Sequence, residues 1–200
     1  MRILHLSDTH NGHRLLHDLP AADIIVHSGD VSMAGTGKEV NDFIEWFAGF
    51  DYGHKIFIAG NHDDCLYDKK PEIIQRFLPA NCHYLYHSGV EINGIKFWGV
   101  PLFVSDDVEG RFPQIMAQIP RETDVLISHR PPYGILDRSG NTYGCSDLLL
   151  AVLKTSPRYH LFGHIHAAYG CERWNATTFV NASLVNEQYE LVREPFVFDV

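Results

Sequence analysis

The chain has 200 residues, of which 45% are hydrophobic and 20% charged, and a formal net charge of −9. That is an ordinary globular composition, too apolar for intrinsic disorder, and the length suits one domain over residues 1–200 that needs neither disulfide nor structural metal merely to fold. The acidic balance argues against a basic surface for extended nucleic acid, and no apolar run approaches the roughly 18 residues of a membrane span.

The first apolar run, Ile3–Leu6, is broken by Asp8, too early for a signal-peptide core, so a cytoplasmic chain that starts inside its own fold is expected. Cys65, Cys82, Cys145 and Cys171 form no CxxC pair and read as scattered reduced thiols, Cys65 as an inert one. The 13 histidines are many beside 16 Lys and Arg combined.

In chain order, one pattern recurs five times: an apolar run, a small residue, then a side chain able to bind metal. Ile3–Ser7 leads to Asp8, Ile24–Gly29 to Asp30, Ile56–Gly60 to Asn61, Val125–Ser128 to His129, and His160–Gly163 to His164. Such runs predict strands buried on both faces, each with a ligand-type side chain at its carboxyl end, the edge where open α/β sheets bind ligands. Helices are expected over Lys38–Phe50, from Pro71 to about Leu78, and over Asp147–Lys154 with Ser146 as N-cap. Asn93-Gly94 between two strand-like runs predicts a hairpin within Gly89–Phe103. With further strands at Thr177–Val180 and Phe196–Val200, a second sheet stacked on the first is expected. The fold class is then α/β, a four-layer α/β/β/α sandwich of two stacked mixed sheets flanked by helices.

The candidate metal ligands are Asp8, His10, Asp30, Asn61, His129, His164 and His166. Carboxylate, imidazole and amide oxygen together suit Mn, Fe or Zn, and the absence of cysteine argues against a structural zinc site. Seven ligands exceed the need of one ion and suit two divalent ions sharing a carboxylate, with Mn favoured. The i, i+2 spacing of Asp8/His10 and of His164/His166 puts each pair on one side of an extended segment. Two such cations neutralise phosphate oxygens and produce hydroxide from bound water at neutral pH. His62, next to Asn61, is placed to give a proton to the leaving oxygen, and Asp63 is expected to orient it. His5 and His27 read as hydrogen-bonded core residues, and His13 and His17 as solvated ones.

Asp8-x-His10, Gly29-Asp30, Gly60-Asn61-His62-Asp63, Ser128-His129 and Gly163-His164-x-His166 resemble, in order and span, the five blocks of the calcineurin-like metallophosphoesterases. The resemblance implies one metal held by Asp8, His10, Asp30 and His166, the other by Asp30, Asn61, His129 and His164, with Asp30 bridging and His62 as the catalytic histidine. His129–Gly134, Gly144-Cys145, Phe162–His166, Val180–Ser183 and Pro195–Asp199 are further similar to the small metallophosphoesterase-domain-containing phosphodiesterases. That implies activity on small phosphodiesters, with cyclic nucleotides as candidates. Some of that subgroup lack the histidine matching His164, so both metal sites are expected to be complete here. Arg130 stands where related sequences commonly have Gly, and is expected to contact substrate phosphate, as Asn61 is. The stretch Arg130–Tyr143 is expected to wall the site, with Tyr133, Asn141 and Tyr143 available to a nucleobase.

The expected partner is a small phosphoester, a nucleotide among the candidates; no membrane is expected, and the sequence leaves the oligomeric state open. A phosphomonoesterase or nuclease on the same centre, or a non-catalytic metal-binding scaffold, are the alternatives.

Overall fold

The computed structural model describes residues 1–67 and 69–200. Strand and helix alternate first: β1 (Arg2–Leu6), β2 (Ile24–His27), α1 (Gly37–Ala48), β3 (His54–Phe57), α2 (Pro71–Gln75) and β4 (Cys82–Tyr84). The hairpin β5 (Ser88–Ile92) and β6 (Ile95–Val100) follows, then short helices α3 (Val104–Val108) and α4 (Phe112–Ala117) and strand β7 (Val125–Ser128). A small hairpin, β8 (Arg138–Ser139) and β9 (Asn141–Thr142), precedes α5 (Ser146–Thr155) and β10 (Tyr159–Phe162). The last strands are β11 (Gly170–Trp174), β12 (Thr177–Asn181) and β13 (Phe196–Asp199).

Two mixed sheets result, ordered β13-β1-β2-β3-β4 and β11-β12-β10-β7-β6-β5. Within each, the central strands run parallel and antiparallel strands close the edge at β13, β11 and β5. The expected sandwich is present, with two corrections. The five ligand-bearing strands do not share a sheet: β1, β2 and β3 lie in the first, β7 and β10 in the second. The C-terminal strand β13 pairs with β1, so it belongs to the first sheet.

Side-chain alternation along each strand assigns the layers. Ile3, Ile24, Val26 and Ile56 face the other sheet and pack with Phe97, Val125, Ile127, Leu161 and Val180. Their neighbours Leu4, Leu6, Ile25 and Phe57 point the opposite way, onto Phe43 and Phe47 of α1. Leu126, Phe162 and Phe179 do the same in the second sheet against Ile115 of α4 and Leu148 and Val152 of α5. Every central strand is therefore buried on both faces, which is why it reads as an unbroken apolar run.

The helices deviate locally from expectation. In α1, the Thr36 side chain caps the Glu39 N–H while Glu39 returns to the Thr36 N–H, a full capping box that fixes the start one residue earlier. Helix α2 ends at Gln75 because the N–H groups of Phe77 and Leu78 reach carbonyls only three residues back, at 3.0 and 3.2 Å, tightening the chain out of α geometry. Ser146 is already inside α5, and Cys145 occupies the cap position without a side-chain bond. Among the described residues no helix is long and apolar enough to cross a membrane.

The histidines divide by environment. His5, His27 and His160 are fully buried within strands, as expected for the first two; they bond Ser28, Thr9 and Ser128 at 2.9, 3.1 and 2.8 Å. Burial pushes all three down to about 3, so they are neutral in the fold. His13 is not solvated as expected: it is buried, with Nε2 2.9 Å from Asp42 Oδ2. His17 is exposed.

Candidate metal centre

The parallel strands of both sheets end on one side of the sandwich, and backbone bonds stitch those ends together. Ser7 N–H donates to Ala182 O and Leu184 N–H to Ser7 O, both at 3.0 Å, joining the end of β1 to the chain beyond β12. Gly163 N–H donates to His129 O at 3.1 Å and Leu102 N–H to Ala59 O at 3.3 Å. All seven candidate ligands sit along this seam.

At β1, β2 and β10 the chain turns sharply where the ligand begins. Asp8, His10, Asp30 and His164 all have positive φ, at 54°, 40°, 55° and 68°. Non-glycine residues rarely adopt such angles, and clusters of them occur where function over-determines the backbone. The glycines ahead of two ligands allow close approach. A Cβ on Gly60 would collide with the Asp30 carboxylate, and one on Gly163 with Asp8 Oδ2 and Ser7 Oγ. Gly163→Ala is therefore expected to displace Asp8, lose bound ions and cost about 1–3 kcal/mol of stability through overpacking. Ion analysis and a thermal melt check this, and unchanged values for both would contradict it.

The donor atoms gather into overlapping groups in which all lie within 4.8 Å of one another: Asp8, His10 and His166; His10, Asp30 and His62; and Asp30, His129 and His164. Asp30 and His10 link the groups. His10 Nε2 lies 3.9 Å from Asp8 Oδ1 and 3.6 Å from Asp30 Oδ2; His166 Nε2 lies 3.5 Å from Asp8 Oδ1, and His129 Nε2 3.2 Å from Asp30 Oδ2. The outer ring nitrogens face carbonyls: Nδ1 of His10, His129 and His166 bonds Ser32 O, Ser28 O and Asn186 O at 3.2, 2.9 and 3.0 Å. A carbonyl can only accept, so Nδ1 carries the proton and Nε2 is turned inward, the arrangement found behind metal-binding imidazoles.

The donor set fits divalent cations. His10 Nε2 and the Asn61 side-chain oxygen are buried without hydrogen-bond partners, and a buried unpaired polar atom is costly unless something binds it. The electrostatics agree. Burial would raise the Asp8 carboxyl, but the bond from His166 and the charges of His129 and His10 overcome it and hold it well below the carboxylate range. Asp30 is likewise lowered, against its burial, chiefly by His129. Burial would lower His129, but Asp30 raises it to about 9. His164 is pushed down to about 4 by burial and by His129.

His62 is half-buried beside this cluster. Its N–H donates to Asp30 Oδ1 at 2.8 Å, its Nδ1 to Met33 O at 2.8 Å, and its ring centroid is 4.7 Å from that of His10. Asp63 does not orient His62, contrary to expectation. Its buried carboxylate accepts from Gly60 N–H (2.8 Å), Val31 N–H (3.2 Å), Ser32 N–H (3.0 Å) and Ser32 Oγ (2.7 Å). It pins the loops after β2 and β3 together and acts on the ligands Asp30 and Asn61 through the backbone. Burial and the Asp30 charge raise its carboxyl to about 6.

A cavity of about 330 Å³ opens on the cluster, lined by Asp30, Asn61, His62, His164 and His166 and, from outside the blocks, by Ser139, Tyr143, Glu187 and Tyr189 among others. The Arg130–Tyr143 stretch does wall it, through Ser139 and Tyr143; Tyr133 and Asn141 do not line it. Arg130 is also outside the lining. Its guanidinium donates to Tyr143 O at 3.1 Å and to Asp107 Oδ2 at 3.2 Å, which ties the loop to α3 and corrects the expected phosphate contact. Glu187 and Tyr189 were not foreseen. They follow β12 in a segment with no motif, and only the turn geometry brings them to the cavity.

A metal-dependent phosphoesterase is the class that this fold and donor set define. The family follows from comparison: residues 1–168 match the profile of the calcineurin-like phosphoesterases, and the chain belongs to that family. It is 34% identical to human metallophosphoesterase domain-containing protein 1, covering 100% of this chain and 71% of that protein. It is 32% identical to a UPF0046 protein of Caenorhabditis elegans, covering 99% and 74%. The crystal structure of TT1561 of Thermus thermophilus shares the fold, with a TM-score of 0.62 and 14% identity over 91% of this chain and 88% of that one.

Proposed function

We propose that this protein is a phosphodiesterase that hydrolyses small phosphodiesters, nucleotide diesters among them, with two divalent ions, Mn favoured. One observation carries the reading: Asp30 belongs to two donor groups, one with His129 and His164 and one with His10 and His62, and His10 links the latter to Asp8 and His166, with Asp30, His62, His164 and His166 all lining the cavity. Asp8, His10, Asp30 and His166 would hold one ion, and Asp30, Asn61, His129 and His164 the other. When bound, the pair supplies positive charge against the phosphate oxygens and water acidic enough to attack at neutral pH. The chain's own part is positioning and proton transfer. Nδ1 of His62 is committed to Met33 O, so Nε2 is the atom that hands a proton to the leaving oxygen.

The wall supports diester over monoester. Among the described residues no lysine or arginine lines the cavity, while Glu187 contributes a carboxylate. A diester carries one negative charge; the second charge of a monoester finds no side-chain cation there and meets like-charge repulsion. Four free cysteines fit a reducing compartment, and the cytoplasm is the proposed location.

The test is hydrolysis of bis-p-nitrophenyl phosphate and p-nitrophenyl phosphate by Mn²⁺-loaded protein, before and after chelation. Chelator-sensitive turnover favouring the diester is expected. Faster monoester cleavage would make the protein a phosphomonoesterase, and no turnover with any divalent metal would favour a scaffold. His62→Ala is expected to keep both ions and lower kcat by about 10²–10⁴-fold with little change in KM. A lost ion would instead make His62 a ligand, which its place within the His10–Asp30 group permits.

A further inference from the structure

Tyr189 sits in the cavity wall against the candidate ligands. Its ring centroid lies 4.8 Å from His10, 5.3 Å from His166 and 6.1 Å from His62, steeply inclined to all three. Nevertheless it remains 44% exposed. A structural tyrosine buries its ring and bonds its hydroxyl. Tyr189 leaves nearly half of its surface open, and among the described residues its hydroxyl has no hydrogen-bond partner.

Its backbone is held in place against its own preference. Tyr189 has φ 63°, an outlier for a bulky residue. The turn that enforces this is built by Asn186. The Asn186 side-chain oxygen accepts from Gln188 N–H at 2.9 Å and Glu190 N–H at 3.0 Å, while Asn186 N–H donates to Glu190 O at 3.0 Å. Asn186 O then accepts from both Tyr189 N–H and His166 Nδ1, each at 3.0 Å. One carbonyl thus fastens the aromatic ring and a candidate ligand to the same point. Ser139 Oγ donates to Glu187 at 2.9 Å and ties the turn to the opposite loop, which brings Tyr143 to the same wall.

We infer that Tyr189 is a substrate-positioning residue, an aromatic wall on which a planar aryl or heteroaryl arm of the phosphodiester stacks while its phosphoryl group lies at the metal centre. The inference rests on the phosphodiesterase reading and narrows its substrate to diesters with a flat aromatic arm. The space is adequate: a cavity of about 150 Å³ accommodates benzene, and here about 330 Å³ is available. Stacking on an exposed aromatic face does not depend on ring substituents.

The test is calorimetric titration of the Mn²⁺-loaded full chain with methyl(phenyl)phosphinate and dimethylphosphinate, which carry the single negative charge of a diester and whose two P–C bonds resist hydrolysis, so that binding is read without turnover. Methyl(phenyl)phosphinate is expected to bind about tenfold tighter to the wild type. Tyr189→Phe keeps that preference, and Tyr189→Gly abolishes it. Glycine accepts positive φ without strain, so the Gly variant is expected to keep its melting temperature and two bound ions. Equal binding of the two phosphinates by the wild type, or a preference that survives in Tyr189→Gly, overturns the stacking wall and leaves the phosphodiesterase reading standing. Loss of bound ions in Tyr189→Gly also overturns it, since Tyr189 would then be scaffolding for His166. Failure of both phosphinates to bind the wild type brings down the phosphodiesterase reading, and the wall with it.

Discussion

Asp30→Ala is expected to take the protein from two bound divalent ions to none and to reduce turnover by about a thousandfold or more. Among the described residues Asp30 is the carboxylate shared by two donor groups, with Oδ2 3.6 Å from His10 Nε2 and 3.2 Å from His129 Nε2. A cation's charge on a phosphoryl oxygen is worth several kcal/mol of barrier, and about 1.4 kcal/mol is tenfold in rate. The carboxylate also accepts the His62 N–H, so its removal loosens the proton donor as well. Asp30→Asn separates the two effects: the amide oxygen can still accept from His62 while the shared negative charge is gone. Elemental analysis of both variants, with activity alongside, provides the check. Two ions retained in Asp30→Ala would contradict the shared-ligand assignment.

The second large effect is acid destabilisation of the metal-free protein. His5, His27 and His160 are neutral in the fold at about 3 and near 6.5 when unfolded. The unfolded chain therefore binds more protons, and stability present above pH 6.5 is lost as pH falls toward 3. From pH 7 to 5 the loss is about 2 kcal/mol for each, or ~6 kcal/mol together, comparable with the whole stability of many domains. Asp63, raised to about 6, takes up its proton in the fold between pH 7 and 5 and returns about 1 kcal/mol, and His129 also runs the opposite way. Raised to about 9, it contributes fully below pH 6.5 and loses that contribution as pH rises through 9, returning only about 1 kcal/mol between pH 7 and 5. Denaturant titrations are expected to show maximal stability of the metal-free protein near neutrality and a steep fall by pH 5, with uptake of about three protons on unfolding there. A midpoint indifferent to pH over that range would mean these histidines are hydrated or protonated in the fold.

Much of the site is legible because it is built from strand ends. A strand buried on both faces leaves a continuous apolar run, and the polar residue that stops it marks the sheet edge; Asp8, Asp30, Asn61, His129 and His164 are all visible in this way. Which sheet a strand joins is not visible, since the same local pattern serves both. That β10 pairs with β7 and β12, and β13 with β1, depends on partners far along the chain. Adjacency misleads for Asp63, which follows His62 in the chain yet turns its carboxylate away, onto the backbone after β2. Arg130 misleads for a related reason: beside His129 its direction is decided by Asp107 and Tyr143, contacts made across loops.

The amino-acid order alone therefore determined the chemistry on offer: the donor types, their number, the strand ends that carry them and the layered class of the fold. Short-range sterics and apolar periodicity suffice for that, because each acts within a few residues. Tertiary structure decided which donors share Asp30, why Asp63 braces loops and leaves His62 to Met33, and how a strained turn after β12 brings Tyr189 to the cavity. Those outcomes depend on packing and hydrogen bonds between segments as much as 156 residues apart, as in the His164 N–H to Asp8 bond, and no local pattern encodes such distances.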